Sequence, residues 1–197
     1  MNSADLTGQS EVLQKGWLVL IVGPSGSGKD SVINWLKSAL DSRSDIMFVR
    51  RTVTRNSDGI SEDHDSLSPA EFQKAQKEGD FAVTWPAHGL SYGLPRTVQT
   101  HLRDGGVAIA NGSRKALPFI KQNFSKVYVV CLQVEKDVLI QRLSDRGRET
   151  SKEITARLER MEQFMEPGQN ILMVDNSGPL DEAGSRILKL IEDISII

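Results

Sequence analysis

The residues most suited to chemistry are Gly23-Pro24-Ser25-Gly26-Ser27-Gly28-Lys29-Asp30, which follow directly on the apolar run Trp17-Leu18-Val19-Leu20-Ile21-Val22. Glycine, four residues, then Gly-Lys is the spacing of a loop that cradles phosphate. The glycines let the backbone fold tightly and turn several N–H groups toward one anion. Asp30-Ser31-Val32-Ile33-Asn34-Trp35-Leu36 opens a helix whose positive end adds to that field. Lys29 is long enough to reach the outer phosphates of a nucleoside triphosphate. The residue after the lysine is ordinarily Ser or Thr, whose hydroxyl goes to magnesium; here it is Asp30. Two readings of Asp30 stand. A carboxylate can hold magnesium directly or through water, or it can simply favour the helix dipole.

Phosphoryl transfer needs in-line positioning and positive charge on the moving group more than it needs covalent chemistry. Two groups of arginines fit that need. Arg146 and Arg148 flank Gly147, and Arg157 lies nine residues beyond Arg148. They belong to a stretch, 142–160, that also holds Arg142, Lys152 and Arg160 with acids interspersed. Alone, this stretch reads as ion-paired, solvated helix. Beside a phosphate loop it reads as a lid, over about 142–165, that closes arginines on phosphates. The second group, Arg50, Arg51 and Arg55, follows the second apolar run. These residues either cap a strand or hold an acceptor's phosphate with planar, paired donors. Glu62, Asp63, His64 and Asp65 are clustered. Their spacing suits neither a hard-cation loop nor a zinc site, which leaves a solvated loop or one that hydrogen-bonds substrate hydroxyls. No nucleophile elbow accompanies the serines and histidines.

The elements that must position these groups alternate along the chain. Apolar runs at 17–22, 46–49, 107–110, 127–132 and 171–174 predict strands buried on both faces. Helical patterns lie near 29–41, 113–122, 135–145 and 180–194. Alternation of this kind implies an α/β fold, a parallel sheet flanked by helices with ligands at the carboxyl ends of its strands. Residues 1–15 are polar and predict a flexible N-terminus, leaving 16–197 as one domain. Residues 52–100 are too long for a plain connection and predict a small substrate-binding subdomain. Within them Ser68-Pro69-Ala70-Glu71-Phe72 has the form of an N-cap, a first-turn proline and a capping box.

The chain has 197 residues, 39% hydrophobic and 25% charged, with a net charge of −2, so it lacks the global basic field of a nucleic-acid-binding protein. The single cysteine, Cys131, sits in an apolar run and reads as a buried strand residue. No apolar stretch approaches a membrane span, and no signal peptide is evident. A cytoplasmic enzyme, monomer or homodimer, acting on small molecules is the expectation.

With loop, subdomain and lid in place, the chain resembles the guanylate kinase family of P-loop kinases along nearly its whole length. Thr54-Arg55 looks like that family's acceptor-phosphate motif, and His88-Gly89-Leu90-Ser91-Tyr92-Gly93 is similar to its His-Gly-Asn-Tyr-Tyr-Gly segment. Arg142-Leu143-Ser144-Asp145-Arg146-Gly147 with Ile154-Thr155-Ala156-Arg157-Leu158 resembles its lid, and Asp175-Asn176 its adenine contact. The resemblance implies ATP held by residues 23–31 and Asn176, Mg2+ as the ion, and Lys29, Arg146, Arg148 and Arg157 at the transferred phosphoryl.

Three departures stand out. Val83 falls where guanylate kinases carry a glutamate that reads guanine, and Val107-Ala108-Ile109-Ala110-Asn111-Gly112 lacks their second acid. Valine cannot accept from the base, and each buried donor left unpaired costs roughly 1–3 kcal/mol. Asp58 replaces the second phosphate-binding arginine, for which Arg51 can substitute from upstream. These departures resemble a narrower group, the ribose 1,5-bisphosphate phosphokinases of bacterial phosphonate utilisation. The likeness runs through Gly28-Lys29-Asp30-Ser31, Arg51, Thr54-Arg55, Glu62, His64, Leu67 and Trp85. It continues in Asn111-Gly112-Ser113-Arg114 and Asp145-Arg146-Gly147-Arg148-Glu149. It implies ATP-dependent formation of 5-phosphoribosyl 1-diphosphate, with Arg51, Arg55, His64, Tyr92, Asn111 and Arg114 toward the sugar bisphosphate and Asp30 toward the metal. A guanylate kinase with an altered base pocket and a catalytically dead guanylate-kinase-like binding module are the alternatives.

Overall fold

The computed structural model describes residues 14–55, 64–145, 147 and 168–195. Five strands form one parallel sheet: β1 (Leu18–Val22), β2 (Ile46–Val49), β7 (Val107–Asn111), β8 (Val127–Gln133) and β9 (Ile171–Asp175), in the order β2-β7-β1-β8-β9. All five residues of β1 are wholly buried. Alternation along the strand explains how a continuous apolar run serves two cores. Val19 and Ile21 point to one face, where α1 (Lys29–Ala39) and α6 (Leu180–Ser195) contribute Val32, Leu36, Ile187 and Ile191. Leu18, Leu20 and Val22 point to the other, toward α3 (Thr97–Arg103) and α4 (Leu117–Asn123), with α5 (Lys136–Asp145) following β8. β2 is only half-buried, because it is the edge of this sheet. The five expected strands match the observed ones to within a residue at each end.

From β1 the chain leaves to one side for β2 and β7 and later to the other for β8 and β9. The crevice at the carboxyl end of β1 is therefore a topological switch point, where open α/β sheets hold ligands. The glycine loop leaves β1 there.

The stretch after β2 builds a second sheet from β3 (Arg51–Val53), β4 (His64–Ser66), β5 (Phe81–Ala87) and β6 (Leu90–Pro95), ordered β4-β3-β6-β5. The β5–β6 hairpin turns on His88 and Gly89, both at positive φ (52° and 74°), which suits the right-handed twist of the flanking strands. Helix α2 (Pro69–Glu78) begins as its sequence predicts. Glu71 N donates to Ser68 Oγ at 3.3 Å and Ser68 N donates to Glu71 Oε2 at 2.8 Å. Those bonds to Ser68 hold the Glu71 carboxyl below its ordinary range.

Gln14 and Lys15, expected to fray, are instead tied down: Gln14 Nε2 donates to Lys126 O at 2.9 Å and Lys15 N to Leu102 O at 3.2 Å. Residues 1–13 lie outside the described residues. Trp35 is partly buried, packed against the core. Its indole lies across α6, where Nε1 donates to Asp181 Oδ1 at 2.7 Å. A Cβ at Gly184 would come within 2.5 Å of that ring. Gly184→Ala gains helix propensity but is expected to lose about 1–3 kcal/mol through overpacking. Urea unfolding followed by Trp fluorescence reads the change, and an unchanged midpoint would show that the α1–α6 contact is looser than it looks.

Candidate active site

The loop is rigid for identifiable reasons. Gly28 takes a left-handed conformation (φ 84°) immediately before α1, and a Cβ there would sit 2.5 Å from Asn176 Nδ2. Asn176, buried just beyond β9, donates from Nδ2 to Ser27 O at 2.7 Å. Ser27 N donates to Pro24 O at 3.1 Å, while Ser27 Oγ is buried without a partner among the described residues. On the other side, Asn111 at the end of β7 donates from Nδ2 to Asp30 Oδ1 at 2.7 Å. The loop is thus braced from the ends of β7 and β9, on either side of β1. Lys29 Nζ donates to Gly23 O and Pro24 O, each at 3.0 Å, so the ammonium lies across the loop that it closes.

A cavity of about 370 Å3 opens beside the loop, lined by Gly26, Gly28, Ser31, Arg142, Asn176 and Leu180 among others. Arg142 Nη1 is buried in that region without a hydrogen-bond partner among the described residues. The sequence places Arg142 in a basic stretch and in the lid-like segment; its position three residues before Asp145 on α5 is the signal that sets both on one helix face. Asp175, beside Asn176, is occupied otherwise. Ser177 donates to its Oδ1 from both Oγ (2.6 Å) and N (2.9 Å), and these bonds hold its carboxyl below the ordinary range.

The cations of the second sheet divide into two kinds. Arg50 is ion-paired with Asp65 at 3.0 Å and donates to His64 O at 3.4 Å. Arg55 is different: Nε and Nη2 are both buried without a partner among the described residues. Thr54 fixes its approach, with Thr54 N donating to Ser91 O at 3.0 Å and Ser91 N to Thr54 Oγ1 at 2.8 Å. His64 is buried with neither ring nitrogen bonded among the described residues, and Ser66 Oγ is likewise buried without a partner among them. The β3–β4 register sets Arg51 beside His64 and Val53 beside Ser66. Arg51 lies over the Tyr92 ring at 5.6 Å, and Tyr92 stacks on Trp85 with centroids 5.6 Å apart.

Arg114 opens the 3-10 turn Arg114–Ala116 just beyond β7. Val83 is buried in the apolar cluster against Leu94 and Leu20, so no acid occupies that position. Arg146, Arg148 and Arg157, like Glu62 and Asp63, lie outside the described residues. Among the described residues no three His, Cys, Asp or Glu side chains gather as a metal site. One carboxylate, Asp30, with the unpartnered amide oxygen of Asn111, forms a small set of hard oxygen donors that fits Mg2+ better than a softer ion. No helix among the described residues is long and apolar enough to cross a membrane.

The glycine loop thus lies at the switch point of the parallel sheet, and Arg51, Arg55 and His64 lie in or beside the second sheet. Guanylate kinase from Anaplasma phagocytophilum superposes with a TM-score of 0.67 over 93% of this chain and 88% of that one, at 17% identity. The fold is therefore that of a P-loop kinase. A family model described as an AAA domain also matches residues 19–165. Ribose 1,5-bisphosphate phosphokinase of Agrobacterium fabrum is 43% identical over 89% of this chain and 96% of its own length. The corresponding enzyme of Brucella melitensis is 41% identical over 92% and 95%. The chain belongs to the ribose 1,5-bisphosphate phosphokinase family.

Proposed function

We propose that this protein transfers the γ-phosphoryl of ATP to the 1-phosphate of ribose 1,5-bisphosphate, giving 5-phosphoribosyl 1-diphosphate and ADP. The observation that carries the acceptor is the state of the second sheet. Arg55 Nε and Nη2 and both ring nitrogens of His64 are buried without partners among the described residues, while the position that would read guanine is a buried valine, Val83. An acceptor rich in phosphate and hydroxyl, and without a base, matches that chemistry.

The loop N–H groups and the N-terminus of α1 take the triphosphate, and Lys29 exchanges its carbonyl partners for the β- and γ-phosphates. Asp30 would hold Mg2+, which when bound would supply charge neutralisation at the triphosphate. Arg55 and Arg51 orient the accepting phosphate, His64 and Tyr92 line the sugar, and Arg114 adds a cation for the second phosphate of the acceptor. Arg146, Arg148 and Arg157 meet the transferring phosphoryl from the lid. One accepting oxygen on the 1-phosphate attacks the γ-phosphorus, and the bond to the β–γ bridging oxygen breaks, so ADP leaves.

Phosphorus NMR of the protein with Mg-ATP tests the reading. Offered ribose 1,5-bisphosphate, it is expected to produce the new diphosphate resonances of the sugar product and ADP, and GMP in a parallel tube is expected to stay untouched. Formation of GDP with no sugar product would overturn the proposal in favour of a guanylate kinase.

A further inference from the structure

P-loop folds hold their magnesium from two places, a hydroxyl at the last position of the loop and an aspartate on a separate strand. In this chain the two chemistries have changed sides. Position 30 carries a carboxylate in place of the hydroxyl. The strand hydrogen-bonded beside β1 ends in Ala110-Asn111, with Ile21 in register with Asn111, and it carries no acid. The two exchanged side chains touch, Asn111 Nδ2 donating to Asp30 Oδ1 at 2.7 Å. That bond uses the amide nitrogen and leaves Asn111 Oδ1 buried with no partner among the described residues. A buried acceptor without a donor is unfavourable. A hard divalent cation, or water bound to one, is the partner its chemistry fits.

We infer that Asp30 and Asn111 act as one metal-binding unit, in which Asn111 orients the carboxylate and offers its own Oδ1 to the same Mg2+ shell. The negative charge of the site is carried on the loop and the neutral ligand on the strand, the reverse of the usual placement. This inference rests on the reading of residues 23–31 as the nucleotide site. The competing account is structural: Asp30 would serve only the dipole of α1, and Asn111 would hold it there.

Binding measurements separate the two without recourse to turnover. ADP binding by calorimetry in EDTA reports the loop itself, and Mn2+ affinity of the ADP complex by electron paramagnetic resonance reports the ion site. Asp30→Ser is expected to weaken Mn2+ by about tenfold or more, and Asn111→Ala by about tenfold although Asp30 is intact. The exchange variant, Asp30→Ser with Asn111→Asp, restores the usual placement and is expected to recover Mn2+ affinity to within about threefold of the native protein. Mn2+ affinity unmoved by Asn111→Ala, or an exchange variant no tighter than Asp30→Ser alone, would overturn the inference. Metal-free ADP binding in each variant certifies its fold, and Asn111→Ser takes the place of Asn111→Ala should the alanine variant not fold. Native protein that fails to bind ADP at all would instead remove the nucleotide reading beneath it.

Discussion

Lys29→Ala is expected to lower kcat by about 10^2 to 10^3 and to lower the melting temperature by several degrees, at about 2–4 °C per kcal/mol. The side chain is held in place before any ligand arrives, by Gly23 O and Pro24 O at 3.0 Å each. Each such bond to a neutral carbonyl contributes about 1 kcal/mol net. A triphosphate in the same cradle is multiply charged, so the ammonium gains more from the phosphates than it gives up. The carbonyls thus preset the reach of Lys29 without competing for it. Single-turnover rates at saturating Mg-ATP give the cleanest reading, because product release does not enter. A loss smaller than about threefold would place the phosphoryl-stabilising charge elsewhere in the site. Lys29→Arg is expected to recover little, since a planar fork does not sit between two converging carbonyls as a compact ammonium does.

Arg55→Met should separate function from stability. Nε and Nη2 of Arg55 are buried and unpartnered among the described residues, and an unsatisfied buried donor costs about 1–3 kcal/mol, more when charged. Methionine keeps most of the side chain's length and removes that cost. The melting temperature is therefore expected to hold or to rise by a few degrees, at about 2–4 °C per kcal/mol for a domain of this size. The same change removes a charge-assisted, paired contact to the acceptor's phosphate, and kcat/KM for the acceptor is expected to fall about 10^2-fold or more. Metal-free ADP binding should stay as it was. Calorimetry and acceptor kinetics on the same preparation check both halves. A lower melting temperature with intact acceptor kinetics would make Arg55 a structural residue.

The parallel sheet was legible because its strands are consecutive aliphatic runs, and Leu18–Val22 can read no other way when helices cover both faces. The start of α2 was legible because Ser68, Pro69 and Glu71 specify it locally. The second sheet was not. β3 and β4 are three residues each and carry Arg51, His64 and Asp65, so they show no apolar period. Their pairing depends on residues far apart in the chain. Helix α3 was missed for a related reason: seven residues give only Val98 and Leu102 as a buried face.

The loop and its lysine were legible from spacing alone. What braces the loop was not. Asp30 meets Asn111 across 81 positions, and Asn176 reaches Ser27 across 149. Arg50 and Arg51 illustrate the limit from another side. Adjacent and chemically identical, one is ion-paired to Asp65 and the other lies over Tyr92. Residue type nominates such groups, and only the packing sorts them.

The second sheet, although it pairs its strands out of order, is drawn from one unbroken passage between β2 and α3, and it joins the parallel sheet through the single residue Arg50. On the proposed reading, the residues that meet the acceptor then lie mostly in one passage of the chain, with Arg114 beyond it, and the handling of ATP lies in others. A lineage can exchange a nucleotide for a sugar phosphate by rewriting that passage while the donor machinery is inherited intact. Transplanting it whole, with its flanks cut at Val49 and Arg96, is the natural way to move a specificity between relatives.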